Sequence, residues 1–213
     1  LNGEGRLEEP KNIFNILVDH ISEKLIYNKK NILVTAGPTH EMIDPVRFIS
    51  NHSSGKMGHE IAKEAASLGA NVVLVTGPTQ INLRNNSIKV VNVTSADEMF
   101  EKCLSELKKI DYLIMAAAVS DFKPKKISKT KIKKNIKKTF NLELVKNIDI
   151  ISELSKLKKP NQKVIGFALE TENEIANAKN KLEKKQLDAI VLNSISNENT
   201  CFNSDKNKIH FIT

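Results

Sequence analysis

The sequence lacks the features that mark several special classes of protein. Its two cysteines, Cys103 and Cys201, are far apart and form no CxxC pair. This excludes a disulfide scaffold and a cysteine-based zinc site, and it fits a reducing compartment. No apolar run approaches the roughly 20 residues of a membrane span; the longest, from Tyr112 to Val119, suits a buried strand. The sequence shows no signal peptide and begins with Leu1, so we expect a fragment of a longer cytoplasmic protein.

Arginine is also scarce, with three residues against thirty lysines. The net charge of +8 comes from one stretch, residues 123–138, which holds nine lysines and no acid. We call this stretch the basic segment; its lysines are 123, 125, 126, 129, 131, 133, 134, 137 and 138. It contains no aromatic residue to stack on a base, and readers of bases and phosphates favour arginine. The composition therefore argues against a nucleic-acid partner.

Strand-like and helix-like patterns alternate along the chain. An amphipathic helix over residues 12–27 is predicted to connect to a domain that starts near Asn31. Strands are predicted at 31–36, 71–76, 88–93, 112–117, 142–145, 163–168 and 189–193, with an edge strand or hairpin within 202–212. Helices are predicted at 55–68, 95–108, 148–157 and 172–185. Ser95 and Glu98 form a capping box for the second of these four helices.

This alternation predicts an α/β fold: Rossmann-like and doubly wound, with a mainly parallel sheet, helices on both faces and a basic flap. Ligands of such sheets bind outside the carboxyl ends of the strands, where the strand order reverses. If the strand at 31–36 is central, this crevice lies between the loop after Ala36 and the loop after Ala117. The first of these loops, residues 37–54, is long for a strand-to-helix connection, which favours a function over a disordered insertion.

The first loop, with the start of the next helix, reads GPTHEMIDPVRFISNHSSGKMG from Gly37 to Gly58. It is not GxGxxG, and it is not a Walker A motif, because Met57 and Ser50 stand where Ser or Thr and Gly are needed. Hydroxyls, glycine and free N–H groups at a helix start predict an anion site. Its members are Ser53, Ser54, Gly55, Lys56 and Gly58. Simple capping by either serine is the alternative, but it does not require two glycines three positions apart.

Arg47, Asn51, Asp121 and the alanines of the second loop are further candidates for binding near the crevice. Arg47 offers a planar clamp for a carboxylate or phosphate, or is a surface arginine. Asn51 is able to hold a carbonyl or phosphoryl oxygen. The second loop, MAAAVSDF at 115–122, has three alanines that let a ligand approach the backbone, whose N–H and C=O groups are able to read a base edge. Asp121 suits a ribose hydroxyl, a cation or a helix N-cap.

Four stretches, TAGPTHEMIDPVRFISNHSSGKMG, AAAVSDF, KIKK and GFALET, together resemble the phosphopantothenoylcysteine synthetase domain. In most bacteria this domain is the C-terminal half of the bifunctional coenzyme A biosynthesis protein (Dfp), behind a flavin-dependent decarboxylase. The resemblance covers Asn31 to about Ile212, and GRLEEP at 5–10 resembles the end of the decarboxylase half. It implies that residues 1–30 are a linker and connector helix from a missing decarboxylase domain, which alone would hold FMN. Residues 31–213 are then the ligase domain, with its C-terminal tail truncated.

The resemblance implies a CTP-dependent phosphopantothenate–cysteine ligase. The carboxylate of 4′-phosphopantothenate attacks the α-phosphate of CTP, which gives an acyl-cytidylate and pyrophosphate. The amine of L-cysteine then attacks the acyl carbon, and CMP leaves. The sequence shows no Ser-His-Asp or Cys-His arrangement, which agrees with a reaction that needs no covalent protein nucleophile. Mg²⁺, a homodimer and a cytoplasmic location are implied as well, without a nucleic-acid or membrane partner.

Site residues are implied motif by motif. Asn51 engages the acyl-cytidylate, Arg47 stands beside it, and Lys131 of KIKK serves nucleotide binding and turnover on a mobile flap over the active site. The implied nucleotide-binding residues are Met115, Ala116, Ala117, Asp121, Lys131, Ile148, Asp149, Ile150, Ile151, Phe167, Lys181 and Lys185. Asp121 is also the implied metal ligand. The family usually has proline where Ile148 stands, and without the resemblance Lys181 and Lys185 are typical of a solvated helix face.

Two other functions remain open on the sequence. A Rossmann-type oxidoreductase with a nucleotide cofactor fits the fold, but the sequence lacks GxGxxG. A basic RNA-binding module would use the basic segment and would bind RNA in a strongly salt-dependent way without any ligation.

Overall fold

The computed structural model describes residues 9–133, 139–170, 172–194 and 208–213. The start of the predicted linker, Lys134, Lys137 and Lys138 of the basic segment, Cys201 and the first part of the predicted C-terminal strand lie outside the described residues. Within the described ranges, no helix is long and apolar enough to cross a membrane.

The described residues form five helices and eleven strands. The helices are α1 (Pro10–Lys24), α2 (Lys56–Ser67), α3 (Ala96–Leu107), α4 (Ile150–Leu157) and α5 (Glu174–Lys184). The strands are β1 (Asn31–Ala36), β2 (His40–Met42), β3 (Phe48–Ser50), β4 (Asn71–Thr76), β5 (Ile88–Asn92), β6 (Tyr112–Met115), β7 (Phe122–Pro124), β8 (Leu144–Lys146), β9 (Lys163–Glu170), β10 (Ala189–Ser194) and β11 (Ile209–Ile212).

Seven of these strands form one sheet, in the order β11-β10-β9-β6-β1-β4-β5. All neighbours in it are parallel except β10 and β11. The chain runs outward from β1 through β4 to β5 and then returns to β6, on the other side of β1, so the strand order reverses between β1 and β6. This is the order of a doubly wound sheet, and the predicted Rossmann-like fold class is confirmed.

Helices cover both faces of the sheet. The alanines of α2 pack on one face of β1 and β4, among Ile32, Val34, Val72 and Leu74. The helices α3 and α4 cover the other face in a core that includes Leu33, Val75, Met99, Cys103, Leu113 and Leu154. A Cβ atom at Gly166 of β9 would meet the side chains of Ile151, in α4, and of Leu187, which follows α5. The helix α5 therefore lies on the same face of the sheet as α4. Burial raises the pKa of the Cys103 thiol to about 12.

The capping box of α3 is confirmed, with a shifted partner. The Ser95 hydroxyl accepts a hydrogen bond from the Glu98 N–H at 3.2 Å. The Glu98 carboxylate, however, accepts from the N–H of Thr94 at 2.7 Å, one residue before the usual partner.

Some boundaries differ from the prediction. The first helix ends at Lys24, and Tyr27 beyond it packs edge-on against Tyr112, with ring centroids 6.1 Å apart. The strand predicted at 112–117 ends at Met115, and the short strand predicted at 142–145 is found at Leu144–Lys146. The apolar side chains of α1, from Ile13 to Val18, are largely exposed in the described part of the chain.

The prediction that residues 37–54 are a plain loop is wrong in one respect, because β2 and β3 form a hairpin within it. The hairpin turn is closed by the N–H of Ile43, which donates to the carbonyl of Arg47 at 2.8 Å. A second antiparallel pair, β7 with β8, includes a strand that was not predicted. Strands of three residues are too short to show a clear alternation of apolar and polar side chains.

Gly58 lets α2 lie close to β1. A Cβ atom at this position would be 2.6 Å from Cβ of Ala36 and 2.8 Å from the carbonyl oxygen of Thr35. Neither neighbour is the end of a flexible side chain, so a substitution requires a shift of the helix or the strand. The glycine is therefore explained by close packing between the helix and the strand.

Alanine at position 58 tests this packing. In a helix interior alanine is normally more stabilising than glycine by about 1 kcal/mol. In Gly58→Ala we expect the opposite sign, a loss of about 1–3 kcal/mol in the free energy of unfolding, because the added methyl overpacks the contact with β1. Urea unfolding followed by circular dichroism measures it. An unchanged or raised stability would show that α2 moves away from β1 without cost.

Candidate active site

The parallel pairing of β1 with β6 continues past the ends of both strands. Pro38 and Ala118 form a parallel bridge. The N–H of Ala118 donates to the carbonyl of Gly37 at 2.9 Å, and the N–H of Thr39 donates to the carbonyl of Ala118 at 3.4 Å. The first and second loops therefore leave the sheet side by side at the point where the strand order reverses, as the sequence predicted.

Side chains add further hydrogen bonds between these loops. The hydroxyl of Thr39, which is fully buried, accepts from the N–H of Ser120 at 3.0 Å. The hydroxyl of Ser50, at the end of β3, donates to the carbonyl of Thr39 at 2.8 Å. The side-chain amide of Asn51 donates to the carbonyl of Val119 at 2.9 Å. Asn51 thus spans from the first loop to the second, and the structure brings together these two predicted parts of the site.

The second loop begins where β6 ends. Met115 is the last residue of β6, is buried, and has partners in β1 and β9 on either side. Ala116 and Ala117 follow the strand end and are partly buried, with the N–H of Ala117 donating to the Thr35 hydroxyl at 3.2 Å. Because Ala116 and Ala117 lie beyond the paired part of β6, they are better placed than Met115 to offer backbone groups to a ligand. Asp121 is exposed at the end of the same loop.

The predicted anion site at the start of α2 has no side-chain cap. Gly55 is the N-cap residue, with a left-handed φ of 77°. The hydroxyls of Ser53 and Ser54 accept from the N–H groups of Gly55 and Lys56, at 3.2 and 3.3 Å, rather than from N–H groups deeper in the helix. Capping by either serine, the simpler alternative, is therefore wrong. Packing and backbone conformation account for the two glycines, so they no longer argue for an anion by themselves, and the anion site stays a prediction.

Arg47 is held by an aspartate that the sequence analysis did not single out. Its guanidinium donates to the carboxylate of Asp44 through Nε at 3.0 Å and through Nη2. Nη2 also donates to the carbonyl of Ile132 at 3.0 Å. A clamp for a ligand carboxylate or phosphate needs two guanidinium nitrogens, and in the described part of the chain only Nη1 is uncommitted. Direct binding by Arg47 stays a prediction, limited to that nitrogen.

The described lysines of the basic segment fall into two groups. Lys123 pairs with Asp97 at 2.5 Å, and Lys125 pairs with Glu143 at 2.6 Å. Lys131 is exposed, and its ammonium group pairs with no carboxylate among the residues described. Part of the positive charge is therefore neutralised locally, which weighs against the RNA-binding alternative, whereas Lys131 is available to a ligand.

The turn before α4 is tied to the second loop. The side-chain amide of Asn147 donates to the carbonyl of Ser120 at 3.1 Å, and its N–H donates to the carbonyl of Asp121 at 2.8 Å. Of the implied turn, Ile148 and Ile151 are partly buried against the core and Ile150 is buried within it. The structure therefore brings residues 148–151 next to the crevice, with Asp149 as the exposed member.

The two implied nucleotide-binding lysines near the end of α5, Lys181 and Lys185, are both paired with acids. Lys185 forms an ion pair with the carboxylate of Asp149 at 2.8 Å, and Lys181 forms one with Glu170 at 2.5 Å. Burial raises the pKa of Asp149, but hydrogen bonds from Lys185 and the N–H of Ser152 outweigh it and bring this pKa below its usual value. Asp149 is also the N-cap of α4.

Phe167 lies in β9, the strand next to β6. The register pairs Met115 with Gly166, so Phe167 comes alongside Ala116 in the sheet. It is partly buried. This position fits the implied aromatic residue near the nucleotide.

The structure adds residues that sequence reasoning missed. Asn147 connects the turn before α4 to the second loop, and Asp44 holds Arg47. Asn193, near the end of β10, has a buried side-chain oxygen without a hydrogen-bond partner in the described part of the chain. A polar amide at the end of the apolar run AIVL was the available signal for Asn193. No comparable signal marked Asp44.

A metal would find few protein ligands here. Within the described ranges, no group of three or more His, Cys, Asp or Glu side chains is placed to hold a metal ion. Asp121 is a single exposed carboxylate at the end of the second loop. One carboxylate fits Mg²⁺ only where substrate phosphates supply the other oxygen ligands.

The fold and the crevice define a Rossmann-like α/β protein with its candidate site at the strand-order reversal. Residues 27–213 match the family model described as the DNA/pantothenate metabolism flavoprotein C-terminal domain. The chain belongs to that family.

Individual relatives agree with this. A Haemophilus influenzae protein named coenzyme A biosynthesis bifunctional protein CoaBC is 44% identical over 207 residues, which cover 97% of this chain and 51% of that protein. A protein from an unknown prokaryotic organism, named cysteine/cysteine sulfinic acid decarboxylase, is 44% identical over 220 residues, covering 100% and 60%. The chain thus spans about half the length of the curated relatives it matches. A crystal structure of the C-terminal domain of a CoaBC protein has a TM-score of 0.71 and 39% identity, covering 87% of this chain and 82% of that one.

The free energy of unfolding tests how much the hydrogen bond from the Ser120 N–H to the Thr39 hydroxyl contributes to stability. Thr39→Val keeps the shape of the side chain but leaves the buried N–H of Ser120 without its acceptor. We expect a loss of about 1–3 kcal/mol in the free energy of unfolding. The matched control is Thr94→Val, at an exposed threonine whose hydroxyl has no hydrogen bond in the described structure, which we expect to change stability by under about 0.5 kcal/mol. Equal effects in urea unfolding would mean that the Thr39 hydroxyl does not connect the loops.

Proposed function

We propose that this chain is a phosphopantothenate–cysteine ligase domain that uses CTP, in the biosynthesis of coenzyme A. It joins 4′-phosphopantothenate to L-cysteine through an acyl-cytidylate and releases pyrophosphate and then CMP. The names of the relatives describe whole proteins about twice as long as this chain. The ligase activity is therefore proposed here for this chain alone. The relative named as a decarboxylase has 40% of its length outside the match.

The observation that supports the proposal most is the hydrogen bond from the Asn51 side chain to the carbonyl of Val119. It holds an amide at the crevice, against the loop that also carries the partly buried Ala116 and Ala117. The Asn51 amide nitrogen carries a second N–H that has no acceptor among the described residues and is able to donate to an oxygen of the acyl-cytidylate. A donor that is fixed before the reaction stabilises developing negative charge without reorganisation.

Charge around the crevice suits a triphosphate. The start of α2 offers backbone N–H groups and the positive end of the helix dipole. Lys131, Lys181 and Lys185 supply further cations, and the last two exchange Glu170 and Asp149 for phosphate oxygens. These groups neutralise the leaving pyrophosphate and align the α-phosphate with the attacking carboxylate.

Mg²⁺, dimerisation and location complete the proposal. Mg²⁺ would lower the negative charge of the triphosphate, with Asp121, at the end of the second loop, as a protein ligand. We also infer a homodimer and a cytoplasmic location from the family resemblance. The flavin chemistry of the longer relatives would belong to their other half.

Pyrophosphate release tests the reaction class. With the 213-residue chain we expect release that requires both phosphopantothenate and CTP, with ATP a much poorer substrate. A coupled phosphate assay measures the rate, and mass spectrometry of the product shows the amide when cysteine is added. Equal rates with ATP would remove the CTP assignment and leave the ligase. Absence of release with either nucleotide would remove the ligase.

Asn51→Asp separates the two half-reactions. The carboxylate cannot donate a hydrogen bond, and it adds negative charge beside an anionic intermediate and the carbonyl of Val119. We expect the overall rate to fall by about 10²–10³-fold, with the acyl-cytidylate accumulating, visible by mass spectrometry even with cysteine present.

The matched control is Asn86→Asp, the same change at an exposed asparagine next to the amino end of β5, which we expect to be neutral. Loss of pyrophosphate release without any intermediate would assign Asn51 to the first step instead. Wild-type activity in Asn51→Asp would show that the position is structural.

A further inference from the structure

Asp44, in the turn of the β2–β3 hairpin, is a carboxylate with no exposed surface. One of its oxygens accepts from the N–H groups of Val46 and Arg47, at 2.8 and 3.0 Å. The other accepts from the Arg47 guanidinium and from the N–H of Ile132, at 3.1 Å. A buried carboxylate persists in its charged form only when it is satisfied in this way. The Arg47 guanidinium, with help from these backbone N–H groups, keeps the pKa of Asp44 well below its usual range despite burial.

The same ion pair holds one residue of the basic segment, Ile132, through both its backbone N–H and its backbone carbonyl. The N–H of Ile132 donates to Asp44, and the carbonyl of Ile132 accepts from Nη2 of Arg47 at 3.0 Å. Four residues earlier, the N–H of Ser128 donates to the carbonyl of Ile43 at 2.9 Å. Residues 128–132 are therefore attached to the hairpin turn at both ends.

Lys131 lies between these two attachment points, Ser128 and Ile132, and directly precedes Ile132. Its neighbours Lys129 and Lys133 are exposed cations of the same sign. Like charges this close in sequence repel and favour an extended, solvated backbone. Without an attachment that resists this repulsion, the Lys131 ammonium group has no fixed position relative to the crevice.

The hairpin connects this attachment to the crevice. Its β2 strand begins directly after Thr39, and its β3 strand ends at Ser50, whose hydroxyl bonds to the carbonyl of Thr39. Glu41, buried in β2, accepts from the N–H of Ala96 at the start of α3 at 3.0 Å. The hairpin is thus fixed at its base, and its turn is a firm support for the basic segment.

We propose that Asp44 is a positioning residue that, together with Arg47, fixes the backbone of residues 128–132 and so places Lys131 for its part in the reaction. The catalytic part of this inference rests on the proposed ligase function. It gives Arg47 a duty different from the direct ligand clamp expected from the sequence. Arg47 acts on the substrate through the position of Lys131.

The test compares Asp44→Asn with Glu143→Gln in the 213-residue chain. Glu143→Gln removes an exposed carboxylate that pairs with Lys125 of the same segment, and so controls for lost negative charge. Hydrogen exchange of the Ser128 and Ile132 amides, without ligand, measures the attachment. We expect exchange to be faster by roughly tenfold or more in Asp44→Asn and unchanged in Glu143→Gln. Unchanged exchange in a folded Asp44→Asn chain would overturn the proposal.

A double mutant shows whether Asp44 acts through Lys131. Lys131→Gln alone removes the ammonium group, and the rate of pyrophosphate release is compared with that of Asp44→Asn combined with Lys131→Gln. If Asp44 acts by placing Lys131, the double mutant is no slower than Lys131→Gln. If the two losses multiply, Asp44 acts independently of Lys131 and the positioning role is overturned. A general structural defect would give the second result.

Two further outcomes are decided by the same measurements. If Asp44→Asn does not fold, Arg47→Lys replaces it, because lysine keeps the charge beside Asp44 but loses the planar second donor to Ile132. Faster exchange at Ile132 in Arg47→Lys supports the proposal, and unchanged exchange overturns it. If the wild-type chain releases no pyrophosphate, the proposed function fails. The exchange comparison alone then decides whether Asp44 fixes the segment.

Discussion

The pairing of β1 with β6 beyond their strand ends is the constraint on which the candidate site depends. The bridge between Pro38 and Ala118 keeps the first and second loops in contact after both have left the sheet. Because buried peptide groups need hydrogen-bond partners, neither loop can move outward alone without leaving donors and acceptors unsatisfied. Asn51, the alanines after β6 and the hairpin all take their positions from this short extension of the sheet.

The fold was predictable to the extent that it depends on local pattern. Strands such as β1 and β4 are mostly apolar runs, and Ser95 and Glu98 mark the start of α3. The sequence therefore predicted β1 and β4 as strands and α3 as a helix. The strand order requires pairing between residues far apart in the chain, and it followed only from general rules for doubly wound sheets. The three-residue strands β2, β3 and β7 are held by cross-strand hydrogen bonds, which leave no periodic trace.

The site was predictable in its location but less so in its contacts. The motifs placed Asn51 and the alanines after β6 at one crevice, which the structure bears out as a neighbourhood, whereas their roles stay predictions. The position of Arg47 was visible in the sequence, but its commitment to Asp44 was not, since an acid three residues away is common on any surface. The serines before α2 show the same limit. Their residue type suggests a cap, but Gly55 is the N-cap, and their hydroxyls accept from Gly55 itself and from Lys56, the first residue of α2.

The cations of the candidate site differ in how readily they change partners. Lys181 and Lys185 each form one ion pair with an acid; the Lys181 and Asp149 side chains are about half exposed, whereas Glu170 is largely buried. Exposed pairs contribute about 0.2–1 kcal/mol, so a polyphosphate with several negative charges displaces Asp149 from Lys185 more readily than it displaces Glu170 from Lys181. The Arg47 guanidinium is different, because its removal from Asp44 would leave a fully buried carboxylate without its main partner and would also release the carbonyl of Ile132. Ligand binding is therefore expected to recruit the lysines and to leave the arginine in place, so that a fixed support and mobile charges act at the same crevice.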